Sequence, residues 1–176
     1  MIIGLTGGKG SGKSSAGRCI RHKYGYKILS FAKPIKDMLM AMGISEEELS
    51  DPDLKEKDLE GYDKSPRWFM QSLGSEWGRA LISNRIWITC LEKQMLPWNH
   101  YVIDDVRFPN EAEFIKEQGG KILHVQRTKM QGDDMHVSEA GLSKDLIDGT
   151  IENMSPNLND LEASVVAAME DVLNGK

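Results

Sequence analysis

Apolar positions along the chain fall into two rhythms. Short, nearly unbroken apolar runs occur at 1–5, 101–103 and 122–125, and these predict buried strands. Residues 26–30 and 150–151 are two further short strand candidates. Between the runs, apolar residues recur every three to four positions, which predicts helices. The first helix is predicted over 13–22. A second follows Ser30-Phe31-Ala32, with Ile35, Leu39 and Met42 on one face and Gly43 as its stop. Ser65 and Pro66 read as a cap and a first helical residue. In the helix they open, Trp68, Phe69, Leu73, Trp77 and Leu81 are expected in the core, with an interruption at Gly74-Ser75. Further helices are predicted over 85–96, capped by Asn84, over 109–118, opened by Pro109 and ended by Gly119-Gly120, and over 158–173. Strands alternating with helices mean an α/β fold, a parallel sheet covered on both faces, with ligands at the carboxyl ends of the strands. Two stretches escape both rhythms. Residues 45–64 are densely charged and are expected as an exposed, mobile segment. Residues 128–137 are polar and suit a flexible lid.

Composition narrows the picture. At 176 residues the chain is expected to form one domain with a core of its own. The net charge of −5 argues against binding a nucleic-acid polymer, which calls for a basic stripe. It does not argue against a small anion, for which a few focused cations suffice. Cys19 and Cys90 have no metal-type spacing. No apolar run has the length of a membrane span, and residue 1 leads straight into a strand, so no signal peptide and a cytoplasmic setting are expected.

The strongest chemical signal lies where the first strand meets the first helix. Gly7, Gly12, Lys13 and Ser14 match G-x-x-x-x-G-K-[ST], the phosphate-binding P-loop. Its glycines, with Gly8 and Gly10 among them, let the backbone come close to a polyphosphate. The loop N–H groups and the helix N-terminus then converge on the phosphate. Lys13 would lie along the β- and γ-phosphates, with Ser11 in the same loop. The Ser14 hydroxyl would meet Mg²⁺, and Ser15 is the second candidate.

Other candidates stand at later strand ends. Asp104 and Asp105 follow the 101–103 strand, where either can serve the metal or substrate, or simply cap the turn. Arg107 stands two residues beyond, and Arg127 ends the 122–125 strand, as anion clamps would. Arg67, Gln71 and Ser75 repeat every four residues, so a helix places a guanidinium, an amide and a hydroxyl on one face. Trp87 offers base stacking, against the commoner alternative of packing. His136-Val137-Ser138-Glu139 is a weak signal that also reads as a helix opening.

Residues 10–15 (GSGKSS), 30–36 (SFAKPIK), 67–79 (RWFMQSLGSEWGR), 105–112 (DVRFPNEA) and 136–139 (HVSE) together resemble the deoxynucleoside monophosphate kinases of bacteriophages. The resemblance runs in order through nearly the whole chain, and 67–79 and 105–112 are its specific parts. It implies a three-layer P-loop kinase fold with a core (1–44, 97–127, 145–176), a helical monophosphate-binding insert (45–96) and a lid (128–144). It implies ATP as donor, Mg²⁺, and a deoxynucleoside 5′-monophosphate as acceptor. By position it assigns Gly8, Gly10, Ser11, Gly12, Lys13, Ser14 and Ser15 to ATP. It assigns Arg67, Gln71, Gly74, Ser75, Trp87 and Asp105 to the deoxynucleotide, and Arg107 and Arg127 to phosphates. Lys13, Asp105, Arg107 and Arg127 are thus the catalytic candidates, and Ser14 and Asp104 the metal candidates. The chain departs from the family pattern at Ser14, where Asp is frequent, and at Ser75, where Thr is usual. The expected partners are ATP and a deoxynucleoside monophosphate, with neither nucleic-acid polymer nor membrane and with a homodimer left open. Kinases of another small acceptor, such as dephospho-coenzyme A, and a nucleotide-hydrolysing switch are the alternatives.

Overall fold

In a computed structural model, residues 1–127, 142–154 and 157–174 are described, and the chain divides into two compact units. The first comprises residues 1–30 and 95–176, and the second residues 31–94.

The first unit is built on five parallel strands: β1 (Ile2–Thr6), β2 (Lys27–Leu29), β3 (Tyr101–Ile103), β4 (Lys121–Arg127) and β5 (Gly149–Asn153). Their order is β2-β3-β1-β4-β5, which puts β1 in the middle. The sequence Ile-Ile-Gly-Leu-Thr is buried at all five positions, as a strand covered on both faces requires. Alternation sends its side chains to opposite faces. Ile3 and Leu5 join Ala16 and Ile20 of helix α1 (Lys13–Tyr24) and Leu161, Val165 and Met169 of the last helix, Leu158–Leu173, in one apolar cluster. Gly4 faces the other way. A side chain there would start 2.6 Å from Ile122 Cδ1 and 2.8 Å from Ile115 Cδ1, so only glycine lets the helix of Pro109–Glu117 approach. Among the described residues, no helix is long and apolar enough to cross a membrane.

The second unit is helical: α2 (Lys33–Ala41), α3 (Glu46–Ser50), a 3-10 turn (Leu54–Glu56), α4 (Pro66–Gln71), a π-helix (Ser72–Ile82) and α5 (Ile86–Glu92). In chain order the helices of the first unit that follow are α6 (Pro109–Glu117) and α7 (Leu158–Leu173). Within this unit α2 packs on α3 and α4.

Two expectations about this unit are corrected. Residues 45–64, expected as an exposed, mobile segment, contain α3. Ser45 and Glu48 form a reciprocal capping box there, and Leu49 is fully buried. The acidic run is therefore a helix start, with Glu46 and Glu47 exposed near the positive helix end and the Glu48 carboxylate turned back onto Ser45. Trp68, Trp77 and Leu81 were expected in the core, yet they are 44%, 38% and 75% exposed. The π-helix explains the last two; Trp68 stands ahead of it, in α4. Its i→i+5 bonding takes about one more residue per turn, so a stripe that an α-helix would keep inward rotates out. The inward positions are Gly74 and Gly78. A side chain on Gly78 would start 2.3 Å from Trp87 Cζ2, so the glycine exists to admit that ring.

Candidate functional site

The loop between β1 and α1 is the best-defined site. Gly7, Gly10 and Gly12 have φ of 142°, 75° and 103°, which only glycine adopts without strain. Gly7 must also remain bare because a side chain would start 2.3 Å from the Val125 carbonyl. The loop folds back on itself, Ser11 N–H donating to the Gly8 carbonyl at 3.2 Å. Ser11 is buried, and among the described residues its Oγ has no hydrogen-bond partner. A buried hydroxyl of that kind suits an incoming phosphate oxygen. Lys13 Nζ donates to the carbonyls of Gly7 (2.6 Å) and Gly8 (2.7 Å), curled over the loop it belongs to. Burial first, and the Lys13 charge second, hold the His124 imidazole below its ordinary pKa, so this histidine stays neutral behind the loop.

A cleft of about 370 Å³ opens over the loop. It is lined by Gly10 to Ser15, Arg127, Asn153, Asn157, Leu158 and Leu161. Arg127 ends β4 and its Nη1 donates to the Gly10 carbonyl at 3.2 Å. Asn153 ends β5 and its Nδ2 donates to the Ser11 carbonyl at 2.8 Å. Asn157 caps α7. Neither asparagine was singled out in the sequence. The available signal was position, since Asn153 ends a parallel strand, where ligands gather.

The β3 end brings two more groups into the same unit. Asp105 Oδ2 accepts the Ser30 hydroxyl at 2.7 Å. Asp104 stands beside α1, its Cβ 3.4 Å from where a Gly17 side chain would start, one turn beyond Ser14. Arg107 is exposed, and its N–H donates to Glu111 at 2.9 Å, as does that of Phe108 at 3.1 Å. Glu111 is 2% exposed and was not singled out in the sequence. Its place in the first turn of α6 is the signal: a carboxylate there reaches back to the orphan N–H groups. Among the described residues no three His, Cys, Asp or Glu side chains converge as a metal cage.

In the second unit, Arg67 is paired with Glu56, Nε to Oε1 at 2.5 Å, and Gln71 and Ser75 are exposed. Arg67 and Gln71 share a face of α4, while the step from Gln71 to Ser75 enters the π-helix, where the four-residue spacing drifts. Gly74 is buried, and its carbonyl accepts Trp87 Nε1 (2.8 Å) and Arg79 Nη1 (3.3 Å). Trp87 is 2% exposed, so of its two readings the structure shows packing. The lid segment 128–141, with His136 to Glu139, lies outside the described residues.

The family described as deoxynucleotide monophosphate kinase matches residues 63–165. A protein of Acanthamoeba polyphaga mimivirus, provisionally named a deoxynucleotide monophosphate kinase, is 33% identical over 81% of this chain and 82% of its own length. The deoxynucleoside-5′-monophosphate kinase of Escherichia phage T5 is 33% identical over 63% of this chain, and the chain spans about half of that relative (48%). Among solved structures, shikimate kinase from Aquifex aeolicus is similar over the full length of both chains with a TM-score of 0.58 at 12% identity. Dephospho-CoA kinase from Campylobacter jejuni covers 99% of this chain and 98% of its own with a TM-score of 0.55 at 15% identity. These likenesses confirm the P-loop kinase fold alone. The sequence matches go further: the family match takes in both residues 67–79 and the β3–α6 turn, and with the 33% identity to the mimivirus protein over 81% of the chain it places the chain in the deoxynucleotide monophosphate kinase family.

Proposed function

We propose that this chain performs its family's reaction by moving the γ-phosphoryl group of ATP onto the phosphate of a deoxynucleoside 5′-monophosphate, giving ADP and the diphosphate. The observation that carries the reading is the cleft over the Gly7–Ser14 loop, of nucleotide size and lined by Lys13 and Arg127. The acceptor oxygen belongs to a largely ionised phosphate and needs no strong base. The work is to bring two anions together in line and to spread the developing charge. Loop N–H groups, the Ser11 hydroxyl and Lys13 take the donor's β- and γ-phosphates. Lys13 exchanges its two carbonyl partners for phosphate oxygens, a charge-assisted contact roughly twice as strong as a neutral one. Arg127, already at the cleft wall, steadies the transferring group, and Arg107 holds the acceptor phosphate. Asp105, oriented by the Ser30 hydroxyl, is the carboxylate offered to the acceptor.

Mg²⁺ fits the residues present. Ser14, in the first turn of α1, and Asp104, whose Cβ lies beside Gly17 of the same helix, are hard oxygen donors, and Mg²⁺ keeps waters and phosphate oxygens rather than filling a protein cage. When bound, it would neutralise charge on the β- and γ-phosphates. Ser14 and Asp104 would hold it, directly or through water.

For the acceptor, Arg67 takes the phosphate, Gln71 reads a base edge with one donor and one acceptor, and Ser75 lies towards the sugar. Arg67 must leave Glu56 to do so, a surface-type pair that costs little to open. Trp87 serves the site through Gly74 rather than by stacking. The phage and viral relatives support action in a host cytoplasm. The likeness to dephospho-CoA kinase is of fold and lends the second reading no support. The test is kcat/KM for the four deoxynucleoside monophosphates and their ribose counterparts. Gln71→Leu should reorder the bases, and Arg67→Ala should weaken all acceptors alike by about 1.5–3 kcal/mol. An unchanged base ranking in Gln71→Leu would reject this acceptor site.

A further inference from the structure

Two side chains from neighbouring strands hold successive carbonyls of the phosphate loop. Arg127 and Asn153 are cross-strand partners, the last pair of the β4–β5 ladder. Arg127 reaches the Gly10 carbonyl and Asn153 the Ser11 carbonyl. The Asn153 contact is the shorter, 2.8 Å against 3.2 Å. The Asn153 amide also rests on Gly12, where a side chain would start 2.5 Å from Nδ2.

A trans peptide points its C=O and its N–H in opposite directions. Holding the Ser11 carbonyl towards β5 therefore turns the Gly12 N–H away from β5. Gly12 is the residue most in need of such a hold, because its φ of 103° lies in a region where glycine has several accessible states. The Ser11 N–H is already committed to Gly8, so the Gly12 N–H is the one this peptide can aim.

We propose that Asn153 is a positioning residue for the phosphate loop: by gripping the Ser11 carbonyl it fixes the Ser11–Gly12 peptide in the orientation that binds the donor's phosphates. Arg127 holds the loop beside it through the weaker contact and is released to the transferring phosphate, while Asn153 stays. The assignment rests on the donor cleft proposed above. It predicts that Asn153 acts on phosphate and not on the base, although its amide also lines the cleft.

Calorimetric binding of ATP and of inorganic tripolyphosphate, each with Mg²⁺, separates these roles. The proteins are the full chain and its Asn153→Leu and Asn153→Ala variants. Leucine keeps the volume without the donor, and alanine removes both. Both variants should bind ATP and tripolyphosphate about tenfold more weakly, by equal factors, the scale of one lost hydrogen bond. Asn153→Ser, which restores a short donor, should recover part of the loss. The KM for the acceptor and the melting temperature should hold. A loss confined to ATP would make Asn153 a base reader and overturn the proposal. So would unchanged binding, or a fall in melting temperature with equal losses for donor and acceptor. Failure of the unsubstituted chain to bind either ligand would instead reject the donor cleft itself.

Discussion

At the scale of single residues, the site is a set of charges held by backbone groups. Lys13 illustrates it: its ammonium rests on two loop carbonyls, those of Gly7 and Gly8. Lys13→Ala should therefore leave melting nearly unchanged while lowering kcat/KM at least a hundredfold. Groups that act on developing charge contribute about 2.7–4 kcal/mol. Near-normal turnover in a folded variant would contradict the loop's role. Glu111 presents the opposite case, a buried carboxylate with a structural task. Removing it strands the Arg107 and Phe108 N–H groups. Glu111→Ala should cost about 1–3 kcal/mol in urea unfolding and should also loosen the acceptor, because Arg107 loses its anchor. His124 sets a pH response. Its folded pKa is lowered by burial and then by Lys13, so the neutral form is the native one. The contribution is fully present above the ordinary histidine value of about 6.5 and is lost as pH falls through the lower folded value. Melting temperature measured from pH 8 to 5 should fall in that window, and His124→Asn should flatten that part of the curve.

At the scale of elements, the π-helix is the feature that most separates this chain from a regular helical pattern. Eleven residues are wound this way, with Gly74 and Gly78 turned inward. Trp87 fastens the winding by donating to the Gly74 carbonyl. Gly78→Ala would drive a methyl into the indole, an overpacking that should cost about 1–3 kcal/mol. Trp87→Phe removes the indole N–H, and both changes should weaken the acceptor more than ATP. Urea titrations with substrate-specific KM values would check this, and equal effects on both substrates would contradict it. The same elements mark what was legible in the sequence. Three strands and their order with helices could be read because β1, β3 and β4 centre on nearly unbroken apolar runs, and the loop because its glycines and lysine have a fixed spacing. The Ser65-Pro66 helix start was equally readable, and Ser65 does accept the Trp68 N–H. The π-winding was not, because apolar spacing of three and four fits an α-helix as well. It surfaces only when Trp77 and Leu81 face outward and Trp87 needs the space of Gly78. Asn153 and Glu111 were hidden for another reason: each works through a backbone group, far away in sequence for Asn153 and across a turn for Glu111, which leaves no side-chain pattern.

At the scale of the whole molecule, the glycine-rich loop with its cleft lies in one compact unit and the Arg67–Gln71 helix, proposed above for the acceptor, in the other. A kinase of this kind must prefer its acceptor to water, since both compete for the same γ-phosphoryl group. That preference is the central claim, and ADP formation from Mg-ATP tests it most directly. ADP release should be slow alone, should rise by orders of magnitude with at least one deoxynucleoside monophosphate, and should be matched one for one by the deoxynucleoside diphosphate. ADP release that is equally fast without any monophosphate, or that yields inorganic phosphate instead of a diphosphate, would contradict the account.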